Sequence, residues 1–159
     1  MEVTLKVKIL AGDIYDYLLY HYYTSAAGLI GSCVGALLVV SAFLTGTWIY
    51  LVVGLIILLY LPWVSFLKSR TQAKTNPAFK EEMTYLFNDE GLTVSVGEEK
   101  ASCKWDEMHK AVSTGRSIIL YTSPINATII PKRFLTDQRQ DLIAIISTHL
   151  PSKKVKIKE

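Results

Sequence analysis

The chain has 159 residues, half of them apolar, with 17 basic and 14 acidic side chains and a formal net charge of +3. From Tyr22 to Leu67 there is no Asp, Glu, Lys or Arg, and the flanking sequence, at about 27% charged, resembles an ordinary soluble domain. This partition excludes a plain soluble globule, a disordered chain, a collagen-like repeat and a disulfide-stapled miniprotein, leaving an apolar segment joined to a water-facing domain.

In chain order, residues 1–9 alternate Val3, Leu5, Val7 and Ile9 with Glu2, Thr4, Lys6 and Lys8, which predicts a strand. A lone strand cannot bury one face, so this one is expected to pair with a sheet formed later in the chain. Residues 10–24 read as an amphipathic lead-in helix with Ile14, Tyr17, Leu18 and Tyr22 on one side. Segment 25–67 supplies two spans, Ser25–Leu44 and Trp48–Leu67, joined by Thr45-Gly46-Thr47. A bilayer core of about 30 Å needs roughly 20 helical residues, so the pair predicts a transmembrane helical hairpin.

Tyr20, Tyr22, Tyr23, Trp48, Tyr50, Tyr60 and Trp63 stand where two aromatic belts would lie. Lys6 and Lys8 precede the hairpin and Lys68, Arg70, Lys74 and Lys80 follow it, whereas the turn carries no basic residue. The positive-inside rule therefore places both termini in the cytosol of a two-span cell-membrane protein. Glu2, Asp13 and Asp16 before the first apolar run argue against a cleaved signal peptide. Ala27, Gly31 and Gly35 recur at every fourth residue, a strip that serves helix packing against the second span or, alternatively, a homodimer. With no ionisable side chain in either span, a proton relay or transport path is not expected.

Residues 68–80 read as a polar linker in which Asn76-Pro77 marks a turn. Across 81–151 the period becomes that of strands: Met83–Phe87, Leu92–Val96, Ala101–Trp105, Met108–Val112, Ser117–Tyr121 and Thr128–Ile130, separated by turn residues such as Asn88-Asp89-Glu90-Gly91 and Ser123-Pro124-Ile125-Asn126. From Thr136, a candidate cap, the period is helical, with Leu142, Ile145, Ile146, His149 and Leu150 on one face. Residues 152–159 form a basic tail with Lys153, Lys154, Lys156 and Lys158. The expected fold class is thus an α+β membrane protein, a transmembrane hairpin plus an antiparallel sheet or partial barrel of about seven strands capped by a C-terminal helix. That outline is the one of the pleckstrin-homology superfold.

Phe87-Asn88-Asp89-Glu90-Gly91-Leu92, Trp105-Asp106-Glu107-Met108-His109-Lys110 and Ile129-Ile130-Pro131-Lys132-Arg133-Phe134, in that order behind an N-terminal strand and two spans, resemble the YcxB-like family of bacterial membrane proteins. The resemblance covers nearly the whole chain and implies a cytosolic pleckstrin-homology-like domain on a two-span anchor. It implies no catalytic residues.

The residues themselves point the same way. His21, His109 and His149 are scattered, and Cys33 and Cys103 stand alone, so no metal or cofactor is expected. No GxSxG, P-loop or GxGxxG motif occurs, and an enzyme is not expected. Glu98-Glu99 and Asp106-Glu107 read as solvated hairpin tips. Interspersed acids leave no basic face for nucleic acid. Lys68, Arg70, Lys74, Lys132 and Arg133 are candidates to face anionic lipid or a partner, against a plainer role as topogenic charge and corner supports. Trp105 is expected to plug the barrel or pack under the closing helix. The expected function is a membrane-anchored, non-enzymatic module that binds an unknown protein partner through a sheet edge or groove; the alternative is an accessory or immunity-type protein acting through its hairpin.

Overall fold

The computed structural model describes residues 2–124 and 126–157. Contacts divide the chain into one unit made of residues 1–17 and 72–159 and a second made of residues 18–71. The first unit therefore draws on sequence from both sides of the apolar segment.

Its first sheet contains β1 (Val3–Val7), β2 (Met83–Phe87), β3 (Gly91–Val96) and β4 (Glu99–Lys104), all antiparallel in the order β1-β2-β3-β4. Strict alternation in β1 turns Val3, Leu5 and Val7 inward, and the register sets them opposite Phe87, Tyr85 and Met83. Asn88 builds the β2–β3 turn, its side-chain oxygen accepting from the amides of Glu90 and Gly91 at 3.0 Å. Gly91 is required there, because a Cβ would lie 2.1 Å from the Cys103 carbonyl oxygen on β4.

The second sheet contains β5 (Lys110–Ser113), β6 (Ser117–Tyr121), β7 (Ala127–Pro131) and β8 (Val155–Lys156) in the order β7-β6-β5-β8. β5, β6 and β7 are antiparallel, and β8 joins β5 in parallel. Every residue of β6 is buried. The Tyr85 hydroxyl links the two sheets by donating to the Ile129 carbonyl at 3.3 Å. Helix α4 (Arg139–His149) buries Leu142, Ile145 and Ile146, and its His149 ring stacks on Trp105 with centroids 5.0 Å apart. Trp105 is held further by its indole N–H, which donates to the Asn88 carbonyl at 2.8 Å.

Helix α1 (Ala11–Tyr23) begins in this unit and runs into the second. The second unit holds α2 (Ala26–Thr45) and most of α3 (Trp48–Thr75), both long and apolar enough to cross a membrane. Ser25 caps α2 by accepting from the Gly28 amide at 3.1 Å, and Gly46 ends it with φ +71°, a left-handed conformation suited to glycine. Gly28, Gly35 and Ala42, seven residues apart, are the buried positions of α2. A Cβ on Gly35 would approach Leu58 and Ile57 at 3.0–3.1 Å, and one on Gly54 would meet the Gly35 carbonyl oxygen at 2.8 Å. Backbone-to-backbone approach through small residues thus joins α2 to α3.

The structure corrects several expectations. The expected antiparallel sheet or partial barrel of about seven strands is two four-stranded sheets, with no closed barrel among the described residues. The 3-10 turn Trp105–Glu107 separates β4 from β5, so the strands on either side of it join different sheets. The 68–80 linker is largely helix, since α3 continues to Thr75; nothing from Lys68 to Thr75 breaks a helix, and Asn76-Pro77 ends it. The closing helix starts at Arg139 rather than beside Thr136, because the chain first makes a 3-10 turn at Lys132–Phe134 and buries Leu135. The 152–159 tail is also more than a solvated end, since it contributes β8. Met1, Ile125, Lys158 and Glu159, which the expected first strand, turn and tail include, lie outside the described residues.

Candidate interaction surface

A polar seam fastens the start of α1 to the second sheet. Asp13, the third residue of α1, accepts from the Leu10 amide at 2.8 Å, half of a capping box. Its carboxylate is buried and takes a two-pronged contact from the Arg133 guanidinium at 2.5 and 2.7 Å. Arg133 also donates to the Lys8 carbonyl at 2.8 Å, tying the β1–α1 junction to the corner after β7. The hydrogen bonds to Asp13 raise the Arg133 pKa above its ordinary value, against a smaller opposing effect of burial. One turn on, Asp16 accepts from the Thr114 hydroxyl at 2.5 Å, and the Lys132 ammonium donates to the Thr114 carbonyl, also at 2.5 Å. Tyr17 packs on Tyr121 of β6 with centroids 6.1 Å apart.

The other candidate residues fall in different places. Lys68 donates to the Tyr22 hydroxyl at 3.0 Å, Arg70 lies over the Phe66 ring at 4.4 Å, and Lys74 is exposed in the last turn of α3. Of the small-residue strip, Gly35 packs on α3, Ala27 is exposed, and nothing lies within 4 Å of a Cβ at Gly31. The structure therefore brings Lys132 and Arg133 together around α1 and splits the strip between a packed position and two outward ones.

Two sheet edges complete the surface. Among the described residues β4 pairs with β3 alone; it is exposed along most of its length, and beside it runs a groove of about 470 Å³ lined by residues such as Leu92, Thr93, Ser102 and Cys103. Glu107 covers one end of this edge by accepting from the Lys104 amide at 3.0 Å. Burial, and then the charge and hydrogen bonding of Glu107, raise the Cys103 thiol pKa above its ordinary value. β5 carries on its outer edge the two-residue strand β8.

Sequence reasoning missed Asp13, Asp16 and Thr114. The only signal for Asp13 is its place in the first turn of a helix; its partner stands 120 positions away. A search of curated proteins and a search of solved structures each give no match to the chain. Residues 87–146 match the family model described as YcxB-like protein. From the end of β2 into α4, then, the chain is similar to the YcxB-like family, as the motifs at Phe87, Trp105 and Ile129 lead one to expect.

Proposed function

We propose that this chain is a membrane-anchored, non-enzymatic interaction module, with a two-span hairpin, both ends in the cytosol, and a pleckstrin-homology-like domain that binds a protein partner through a sheet edge. The observation that carries the reading is the pairing of β1 with β2. These strands precede and follow the two apolar helices, so any crossing of a bilayer must be made an even number of times. Two helices of spanning length meet that condition. A soluble core helix of this composition would be mostly buried, whereas only 17% and 11% of the two apolar windows are. The basic residues Lys68, Arg70 and Lys74 follow the second span and support the cytosolic placement. The order β1-β2-β3-β4 beside β7-β6-β5, closed by α4, supports the pleckstrin-homology-like reading.

Cysteine labelling tests the topology. In a chain lacking Cys33 and Cys103, a cysteine at Thr45 reacts with an impermeant reagent outside cells and one at Ser152 does not; the reverse pattern overturns it. The binding role is tested by pull-down from detergent extracts of the full chain and of a chain lacking residues 81–151. The module reading requires that the deletion lose the partner.

The open face at Gly31 favours a second reading, an accessory or immunity-type protein acting through its hairpin. Gly31→Leu separates the two: the module keeps its domain-bound partner, whereas a hairpin-based function is lost with the domain still folded.

A further inference from the structure

We propose that the C-terminal tail is a displaceable cover on the β5 edge, and that an extended segment of a partner protein takes its place there. This rests on the reading of the domain as a protein-binding module, and it names the edge used and the contact that regulates it.

Among the described residues, the tail is the shortest attachment in either sheet. It pairs with β5 at two positions, Ala111 with Val155 and Val112 with Lys156, whereas each other strand pair is four to six residues long. It is also the one parallel pairing among those described, a geometry slightly less stable per residue than the antiparallel one. Val155 and Ile157 are only half-buried, and the Lys154 ammonium donates to the Met108 carbonyl at 3.1 Å beside the ladder. Beneath it, Ala111 and Val112 of β5 are buried, while the residues that cover their edge are half-buried or exposed.

The tail displays the chemistry that the seat accepts. Val155 and Ile157 alternate with exposed Lys156, an apolar-polar-apolar segment running parallel to β5. Strand addition takes its affinity from main-chain hydrogen bonds and its selectivity from alternate side chains. A partner segment with apolar residues at those alternate positions, and with a longer ladder than two residues, displaces the tail. Pro151 stands between α4 and the tail and cannot continue that helix, so the tail is not a helical extension of α4.

The test uses the full chain in detergent micelles and, as probe, a synthetic peptide with the sequence of residues 151–159. The readout is the set of amide resonances of Lys110–Ser113. Two chains are compared, the wild type and Val155→Pro, which cannot continue the tail's ladder. The peptide is expected to bind the variant about tenfold more tightly, since apparent affinity scales with the fraction of chains whose edge is open. A peptide carrying Val155→Asp and Ile157→Asp shifts nothing. Equal affinity for the two chains overturns the cover and leaves strand addition standing. Absence of binding to both overturns the choice of this edge, while the pull-down decides the module reading separately. Should Val155→Pro disturb the near-ultraviolet dichroism of the domain, a chain ending at Pro151 replaces it with the same outcomes.

Discussion

Asp13 is a buried carboxylate whose neutralising partner, Arg133, is 39% exposed at its side chain, so the strength of the pair depends on which member is removed. Arg133→Ala strands a buried charge and is expected to cost about 1–3 kcal/mol, a range lowered from that of fully buried pairs by the solvent around the guanidinium. Asp13→Asn keeps an acceptor for the Leu10 amide and costs less; the midpoints of chemical denaturation rank the two. Tyr85 gives a pH dependence. Burial, then the nearby charge of Asp13, raises its phenol pKa well above the ordinary value of 10.0. The folded state therefore keeps a proton that the unfolded state releases. This contribution is complete below pH 10 and is lost as pH climbs toward the folded value, with a slope approaching about 1.4 kcal/mol per pH unit. Denaturation between pH 9 and 11 should show the decline, and Tyr85→Phe should flatten it. Cys103 is expected to alkylate more slowly than a free thiol at pH 8, because its raised pKa leaves less thiolate. In a Cys33→Ser background, Glu107→Gln should speed the reaction, since the carboxylate contributes to that shift.

Among the elements, the hairpin separates what spacing reveals from what it hides. The four-residue recurrence of Ala27, Gly31 and Gly35 is plain in the sequence, but the row that packs is Gly28, Gly35 and Ala42 at seven-residue spacing. Small residues at both spacings are written into the same helix, and what lies against them selects the row: the Tyr22 carbonyl and Ser25 at Gly28, and Ile57 and Leu58 of α3 at Gly35. Gly35→Leu and Gly54→Leu therefore drive side chains into the facing helix and should cost about 1–3 kcal/mol, whereas Gly31→Leu meets open space and should be neutral. Thermal unfolding in micelles, followed by far-ultraviolet dichroism, distinguishes them. The strands show the same limit. Alternation at Val3–Ile9 and turn chemistry at Asn88–Gly91 are local signals, and the strand and the turn stand where those residues stand. Division into two sheets is a matter of which strands meet, about which alternation is silent. β8, with two residues, is too short to register any period. The continuation of α3 through Lys68–Thr75 is concealed for another reason: the composition changes from apolar to charged at Lys68, while the backbone stays helical to Thr75.

At the scale of the whole molecule, the β unit is assembled from two distant pieces of chain. β1 inserts Val3, Leu5 and Val7 opposite β2, and Arg133 fastens the carbonyl that follows them. Fully burying a side chain of this kind is worth about 1.5–3 kcal/mol, so these three alone contribute about 5–9 kcal/mol, comparable with the entire stability of a typical domain. A fragment of residues 72–159 keeps the YcxB-like segment complete yet exposes the inward face of β2 and leaves Arg133 without Asp13. It is therefore expected not to fold by itself. Adding a peptide of residues 2–17 should restore far-ultraviolet dichroism and the burial of Trp105 in proportion to peptide concentration, because binding and folding are then one equilibrium. A fragment that is already cooperative without the peptide would show that β1 adheres to a finished sheet. The two outcomes differ in what synthesis must accomplish: if β1 is integral, the domain completes itself only after the apolar helices have been made and the later strands have returned to the waiting first one.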